Sequence, residues 1–296
     1  MKIFDCFMYY DEDLIIDLRL NYLNDYVDKF VIVESSYTHS GTPRKTLFDI
    51  NKFSKFKNKI KYIVVNEIPV DLQKFNKADT EHQKNSKYIL NAVRRENFQR
   101  NAITKGLDSA SLEDLIIISD VDEIPNLEEI NFKNIENKII SFKQKFFYYK
   151  FNLKLNDYDW YGSKACKKKN LISPQWLRNV KTKIFPFWRI DTFFSKKKYQ
   201  NIKIISNGGW HFSNIKTPAD IEKKMKTYLH HREYELNPIG EKRISEIIKE
   251  KKPIYNLKAD MRSNKFDLSD QLIVADVDEL PYYVQKNINK YKNWLD

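Results

Sequence analysis

Leu115-Ile116-Ile117-Ile118-Ser119-Asp120-Val121-Asp122-Glu123-Ile124-Pro125 joins a short, continuously apolar run to two aspartates one residue apart. A strand with one wet face alternates apolar and polar residues, so an unbroken run of this length predicts a central parallel strand covered on both faces. Upstream of it, residues 80–106 read as a long polar helix with an apolar stripe through Ile89, Val93 and Ile103, and Gly106 is its stop signal. Further back, residues 2–8, 29–34 and 60–65 read as strands, and Leu14, Ile15, Leu18, Tyr22, Leu23 and Tyr26 recur at helical spacing over 12–26. Residues 35–44, rich in Ser, Thr and Gly, read as a loop. Alternating strands and helices predict an α/β fold with a mostly parallel central sheet flanked by helices, whose ligands sit beyond the carboxyl ends of the strands.

Downstream of the run the pattern is less regular. Residues 139–151 are strand-like and aromatic, 160–176 read as loop with a short helix, and 202–206 read as another strand. Helices are expected at 218–231, at 240–250 and after Pro281, which adds a C-terminal helical segment. No low-complexity linker divides the chain, so one domain over 1–296 is expected. The acidic stretch has one echo, Asp276-Val277-Asp278-Glu279-Leu280-Pro281, in a segment of weaker strand character. That copy reads as structural, a turn leading into a terminal helix.

Hydrophobic residues make up 42% and aromatics 14%, enough for a packed core, so the mean hydropathy of -0.64 reflects a lysine-rich surface rather than disorder. The net charge of +12 attracts anionic partners, whether nucleotides, nucleic acid, acidic glycans or a phospholipid surface, without selecting among them. Its lysines lie in many short clusters, such as Lys167-Lys168-Lys169, and not in one arm. Cys6 and Cys166 stand in neither a CxxC nor a Cys/His spacing, which excludes a disulfide framework and a structural zinc site as expectations. The chain starts directly into a strand, with neither a signal-peptide pattern nor an apolar stretch of spanning length, so a cytoplasmic protein is expected.

Two carboxylates one residue apart at the end of a buried strand can meet a hard cation and a diphosphate at the sheet edge. Short acidic turns also cap helices or face solvent, but this one closes the most apolar strand, and Pro125 forces an irregular exit. Asp122 is the candidate for direct ligation, while Asp120 acts as a ligand, through water, or on a donor ribose. His211, in Asn207-Gly208-Gly209-Trp210-His211-Phe212-Ser213, is the candidate third ligand among glycines that permit close backbone approach. Glu34 ends a strand on the same edge, where it either accepts from a ribose or base or pairs with Arg44 or Lys45. Arg100 and Asn101, near the end of the long helix, are candidates for reaching a phosphate or holding Asp120. Trp160, Tyr161, Trp176 and Trp188 are candidates for stacking on sugar rings, though aromatics at this density are mostly core.

Several of these stretches fall in the order of a known family. Arg94-Arg95-Glu96-Asn97-Phe98-Gln99-Arg100-Asn101 leading into Ile118–Pro125, Phe30-Val31-Ile32-Val33-Glu34-Ser35 with Thr38 and Ser40-Gly41, Gly209-Trp210-His211, Lys224-Met225, His231 with Glu233, and Leu280-Pro281-Tyr282-Tyr283-Val284 resemble glycosyltransferase family 17 across nearly the whole chain. The resemblance implies a GT-A type fold, with a nucleotide-sugar-binding half over 1–125 and an acceptor-side half over 126–296. It also implies an inverting mechanism, a UDP-sugar donor, expected to be UDP-GlcNAc, and Mn²⁺ or Mg²⁺. Inversion needs a base that takes the acceptor proton. The order of motifs in similar enzymes points to Asp191, with Asp159 as second choice.

Eukaryotic members carry a membrane anchor and luminal stem, neither of which is expected for this chain, and Phe212 stands where they have Cys. The expected role is therefore assembly of a surface polysaccharide or glycoconjugate on a carbohydrate or lipid-linked acceptor, in the cytoplasm with peripheral association at the inner face of the membrane. The rival reading is a metal-dependent nuclease using Asp120, Asp122 and Glu123, or a basic nucleic-acid-binding protein. No recognisable nucleic-acid motif accompanies the positive residues, and no nucleic-acid partner is expected.

Overall fold

Burial on both sides of the 115–120 run organises the molecule. The computed structural model describes residues 1–183, 185, 195–199, 201–228, 231–255, 257 and 270–296. In chain order, β1 (Ile3–Tyr9), α1 (Asp13–Leu23), β2 (Lys29–Ser35), β3 (Ile60–Val65), α2 (Glu81–Asn101) and β4 (Leu115–Asp120) are followed by the short β5 (Glu123–Pro125). Then come β6 (Ile139–Phe142), β7 (Gln144–Tyr148), β8 (Leu153–Trp160), β9 (Lys164–Lys167), α3 (Pro174–Asn179), β10 (Ile202–Ile205) and β11 (Gly209–Ser213). The described C-terminal part holds α4 (Pro218–Thr227), α5 (His231–Leu236), α6 (Gly240–Lys249), β12 (Leu272–Val274), α7 (Tyr282–Lys286) and α8 (Ile288–Tyr291).

In β4, Leu115 and Ile117 pack with α1 residues such as Ile16 and Leu20, while Ile116 and Ile118 pack on the other face with Ile103 and Leu177. Side chains alternate between faces along a strand, so two covered faces require the unbroken apolar run. Each such side chain contributes about 1.5–3 kcal/mol relative to exposure. The long helix begins where its Thr80-x-x-Gln83 spacing predicts. Thr80 Oγ1 accepts from the Gln83 amide at 3.3 Å and Gln83 Oε1 accepts from the Thr80 amide at 2.8 Å, a capping box.

The fold is mixed α/β, with two sheets among the described residues, of order β10-β6-β9-β4-β1-β2-β3 and β12-β8-β7-β11-β5. β4, β1, β2 and β3 run parallel, but β9 lies antiparallel to both β4 and β6. The central sheet is therefore mixed, with β9 the strand that runs against its neighbours. The inserted strand, Lys164-Ala165-Cys166-Lys167, carries too little apolar periodicity to be seen in sequence; it is buried by its neighbours. The second sheet was not expected. Its β11 is parallel to β7 and antiparallel to β5, while β7–β8 and β8–β12 are antiparallel. Helices α4 and α6 cover one face of it through Ile221, Met225, Ile244 and Ile247.

The acidic echo at 276–281 forms a 3-10 turn, Val277–Glu279, ahead of α7. Glu279 ties down Lys145 of β7 and Lys154 of β8 at 2.8 and 2.7 Å, and its carbonyl accepts from the Trp210 indole at 2.7 Å. Its role is the structural one expected. No helix among the described residues is long and apolar enough to cross a membrane.

Candidate active site

A cavity of about 660 Å³ opens beyond the carboxyl ends of β1 and β4, lined on that side by Met8, Tyr9, Tyr10, Asp120 and Asp122. Further lining comes from the second sheet, with Phe146 and Tyr148 of β7, Trp160 of β8 and His211 and Ser213 of β11. Thr38 and His39, after β2, and Lys224 and Thr227 of α4 close the sides.

The two halves are joined at the acidic turn. Glu123, Ile124 and Pro125 pair antiparallel with His211, Trp210 and Gly209, and the Phe212 amide donates to the Asp122 carbonyl at 2.8 Å. This register brings Asp122 Oδ1 to 3.4 Å from His211 Nε2. Along β11, His211 lines the cavity while Trp210 and Phe212 enter the core, the period of a strand. The glycines preceding His211 serve this pairing. Gly209 has φ +114°, and a Cβ there would collide with the Ile124 carbonyl; one on Gly208 would meet the Lys143 backbone. The close approach the glycines permit is that of neighbouring strands.

Asp120 is held between two guanidinium groups. Arg100 Nη2 donates to Oδ1 and Arg178 Nη2 to Oδ2, both at 2.8 Å. Burial opposes ionisation of Asp120, but Arg178 and Arg100 outweigh it and hold the carboxyl far below the usual range. Burial likewise opposes ionisation of Asp122, and the His211 ring and the Lys224 ammonium, 4.0 Å away, prevail, so its carboxyl also lies below the usual range. Glu123, fully buried, accepts from the Asp120 amide at 2.8 Å, the Trp160 indole at 2.7 Å and Arg178 Nη1 at 2.7 Å. It thereby links the acidic turn to the aromatic wall, where Trp160 stacks on His211 with centroids 4.8 Å apart.

Asp120, Asp122, His211 and Arg100 are thus brought together, and Arg100 holds Asp120. Glu34 is not among them. It is fully buried, with its carboxylate taken by the Leu47 and Phe48 amides, the Tyr62 hydroxyl at 2.7 Å and Arg44 at 2.9 Å. The pairing with Arg44 is what the structure contains, and Glu34 does not line the cavity. Asn101 accepts from the Gln175 amide at 3.0 Å, joining α2 to α3 outside the cavity. Asp159 pairs with Lys143 at 2.7 Å, also outside it. Trp176 packs against Tyr199. Asp191 and Trp188 lie outside the described residues. Arg178 was missed by sequence reading; it follows the Ser173-Pro174 helix start, 58 residues from the Asp120 it grips, and only the tertiary contact reveals it.

Asp122 and His211 offer one carboxylate oxygen and one imidazole nitrogen at the same wall, a suitable donor set for Mn²⁺ or Mg²⁺ completed by diphosphate oxygens and water. His211 Nδ1 is buried without a hydrogen-bond partner, while Nε2 faces Asp122 Oδ1 at 3.4 Å. Asp120 fits direct ligation less well because both its oxygens already face guanidinium groups. Among the described residues no group of three His, Cys, Asp or Glu side chains could hold an ion unaided.

The cavity thus combines charged side chains with the aromatic side chains of Trp160, Phe146 and Tyr148. The family model described as Glycosyltransferase family 17 matches residues 1–296, and the chain belongs to that family. It is a glycosyltransferase, with a sugar donor and an acceptor as its substrates. No curated protein matches the chain. Among solved structures it is similar to the crystal structure of HddC from Yersinia pseudotuberculosis, at 10% identity over 72% of this chain and 90% of that one, with a TM-score of 0.33. That likeness is too slight to bear on fold or function.

Proposed function

We propose that this glycosyltransferase is an inverting, metal-dependent enzyme of GT-A type that moves a sugar, GlcNAc, from a UDP-sugar to a glycan hydroxyl. Its acceptor is a carbohydrate or lipid-linked glycan of a surface polysaccharide or glycoconjugate, met in the cytoplasm at the inner face of the membrane. The observation that carries the reading is Asp122 beside His211 at 3.4 Å on one cavity wall, with Asp120 two residues away on the same turn.

Asp122 and His211 are the residues that would hold Mn²⁺ or Mg²⁺, and the ion would supply Lewis-acid stabilisation of the charge that builds on the departing phosphate. Lys224 adds a second positive charge on that side. Asp120, kept ionised by Arg100 and Arg178, still has lone pairs for a ribose hydroxyl, since a carboxylate offers about four acceptor positions. The wall of Trp160, Phe146 and Tyr148 offers apolar faces to a sugar ring and excludes water from it. Asp191 is the proposed base, taking the acceptor proton as the new bond forms, and Asp191→Asn should abolish transfer while sparing UDP binding.

The reading is tested by screening nucleotide sugars for metal-dependent hydrolysis, which needs no acceptor. UDP-GlcNAc should be cleaved with Mn²⁺ and not with EDTA. Cleavage of no nucleotide sugar, together with metal-dependent cutting of DNA or RNA, would replace this reading by a nuclease.

A further inference from the structure

The backbone of the acidic turn has a buried cationic support that the reaction itself does not call for. Arg19 of α1 aims Nη1 at three carbonyls, those of Asp120 and Val121 at 3.1 Å and Glu123 at 2.6 Å. Its Nε and Nη2 are taken by Asp5 of β1 at 2.7 and 2.6 Å, a two-pronged pair. Both side chains are fully buried, and the Phe7 ring lies 4.5 Å from the guanidinium carbon. A dry ion pair is a poor stabiliser, since apolar side chains of similar volume commonly do as well or better. What such replacements would lack is a donor for the carbonyls.

We propose that the Arg19–Asp5 pair is a positioning device for the donor site, fixing the backbone of Asp120–Glu123 so that the Asp120 and Asp122 side chains emerge together into the cavity. Asp5 orients the guanidinium plane from the β1 side, and the free edge of that plane gathers the carbonyls where the chain leaves one sheet for the other. Lysine cannot substitute, because an ammonium has neither the planar fork nor the reach to serve Asp5 and the turn at once. The inference rests on the donor-site reading above for its functional consequence, but not for its geometry.

The test uses the full chain with Arg19→Lys, the double variant Arg19→Met/Asp5→Leu, and Lys154→Met as a control that breaks a contact to Glu279 away from the cavity. Amide hydrogen exchange over 115–125, without ligand, should accelerate in Arg19→Lys and in the double variant, and stay at the wild-type rate in the control. UDP affinity measured by calorimetry with Mn²⁺ should fall roughly 10- to 100-fold in both, the usual cost of losing a partner that orients a ligating residue. Both readouts are taken well below the melting temperature of each variant, which separates positioning from stability. Should Arg19→Lys fail to fold, the double variant alone decides. Wild-type exchange over 115–125 with unchanged UDP affinity in a folded variant overturns the proposal. If the wild type binds no UDP, the donor reading fails by itself, and the exchange result still judges the positioning.

Discussion

Asp122 faces the cavity, while Glu123, one residue on, turns inward to Trp160 and Arg178. Substitution should separate the two tasks. Asp122→Asn removes a charge from the site and leaves a side chain of the same shape, so the turnover of donor should fall about 10²–10³-fold, the scale seen for loss of one charge-stabilising group. Its melting temperature should stay close to that of the wild type. Glu123→Ala instead takes from the buried Arg178 one of the two carboxylates it is paired with, which should cost up to about 3–5 kcal/mol of stability. Donor turnover and urea unfolding on both variants check the contrast; a Glu123→Ala protein as stable as the wild type would show that Arg178 does not depend on it. Asp122 was legible in the sequence because it follows a run with one structural meaning. Glu123 was legible only as another carboxylate, since its side-chain donors, Trp160 and Arg178, come from β8 and α3.

At the level of elements, β9 and α3 form a support that sequence patterns did not show. Lys164 of β9 donates to the carbonyls of Arg178 and Val180 at 2.6 Å, fixing the end of α3 from which Arg178 reaches Asp120. Burial, and then the Arg178 charge, push the Lys164 ammonium down to about 7 from 10.5. The folded value is the lower one, so between pH 7 and 10.5 the unfolded chain binds more protons. The contribution of Lys164 to stability therefore rises with pH through that window, by up to about 1.4 kcal/mol per pH unit. Lys164→Met should thus compare best with the wild type near pH 7 and lose ground as pH rises toward 10. Urea midpoints at several pH values test this, and a pH-independent difference would mean that Lys164 stays charged throughout. The helices were easier to read than these strands. Thr80 and Gln83 mark the start of α2 locally, whereas a four-residue strand such as β9 exists because β4 and β6 offer it edges.

Across the whole molecule, the cavity lies where two sheets meet, and a ligand bound there contacts both. Binding only to the folded state stabilises it by mass action, about 2.7 kcal/mol at a ligand concentration of 100 Kd. UDP with Mn²⁺ should therefore raise the melting temperature, and UDP with EDTA should raise it much less. Equal shifts with and without metal would favour Arg100, Arg178 and Lys224 as the phosphate-binding groups. The sequence alone determined the central strand, the placement of the acidic pair at its end and the α/β class, because a strand buried on both faces leaves an unbroken apolar run whatever its partners are. It also supplied His211 through its glycine-flanked setting. Only the tertiary structure decided the mixed sheets, the burial of Glu34 against Arg44, and the grip of Arg19, Arg100 and Arg178 on the acidic turn. A guanidinium contact depends on where distant segments cross, and local spacing in a chain carries no record of that.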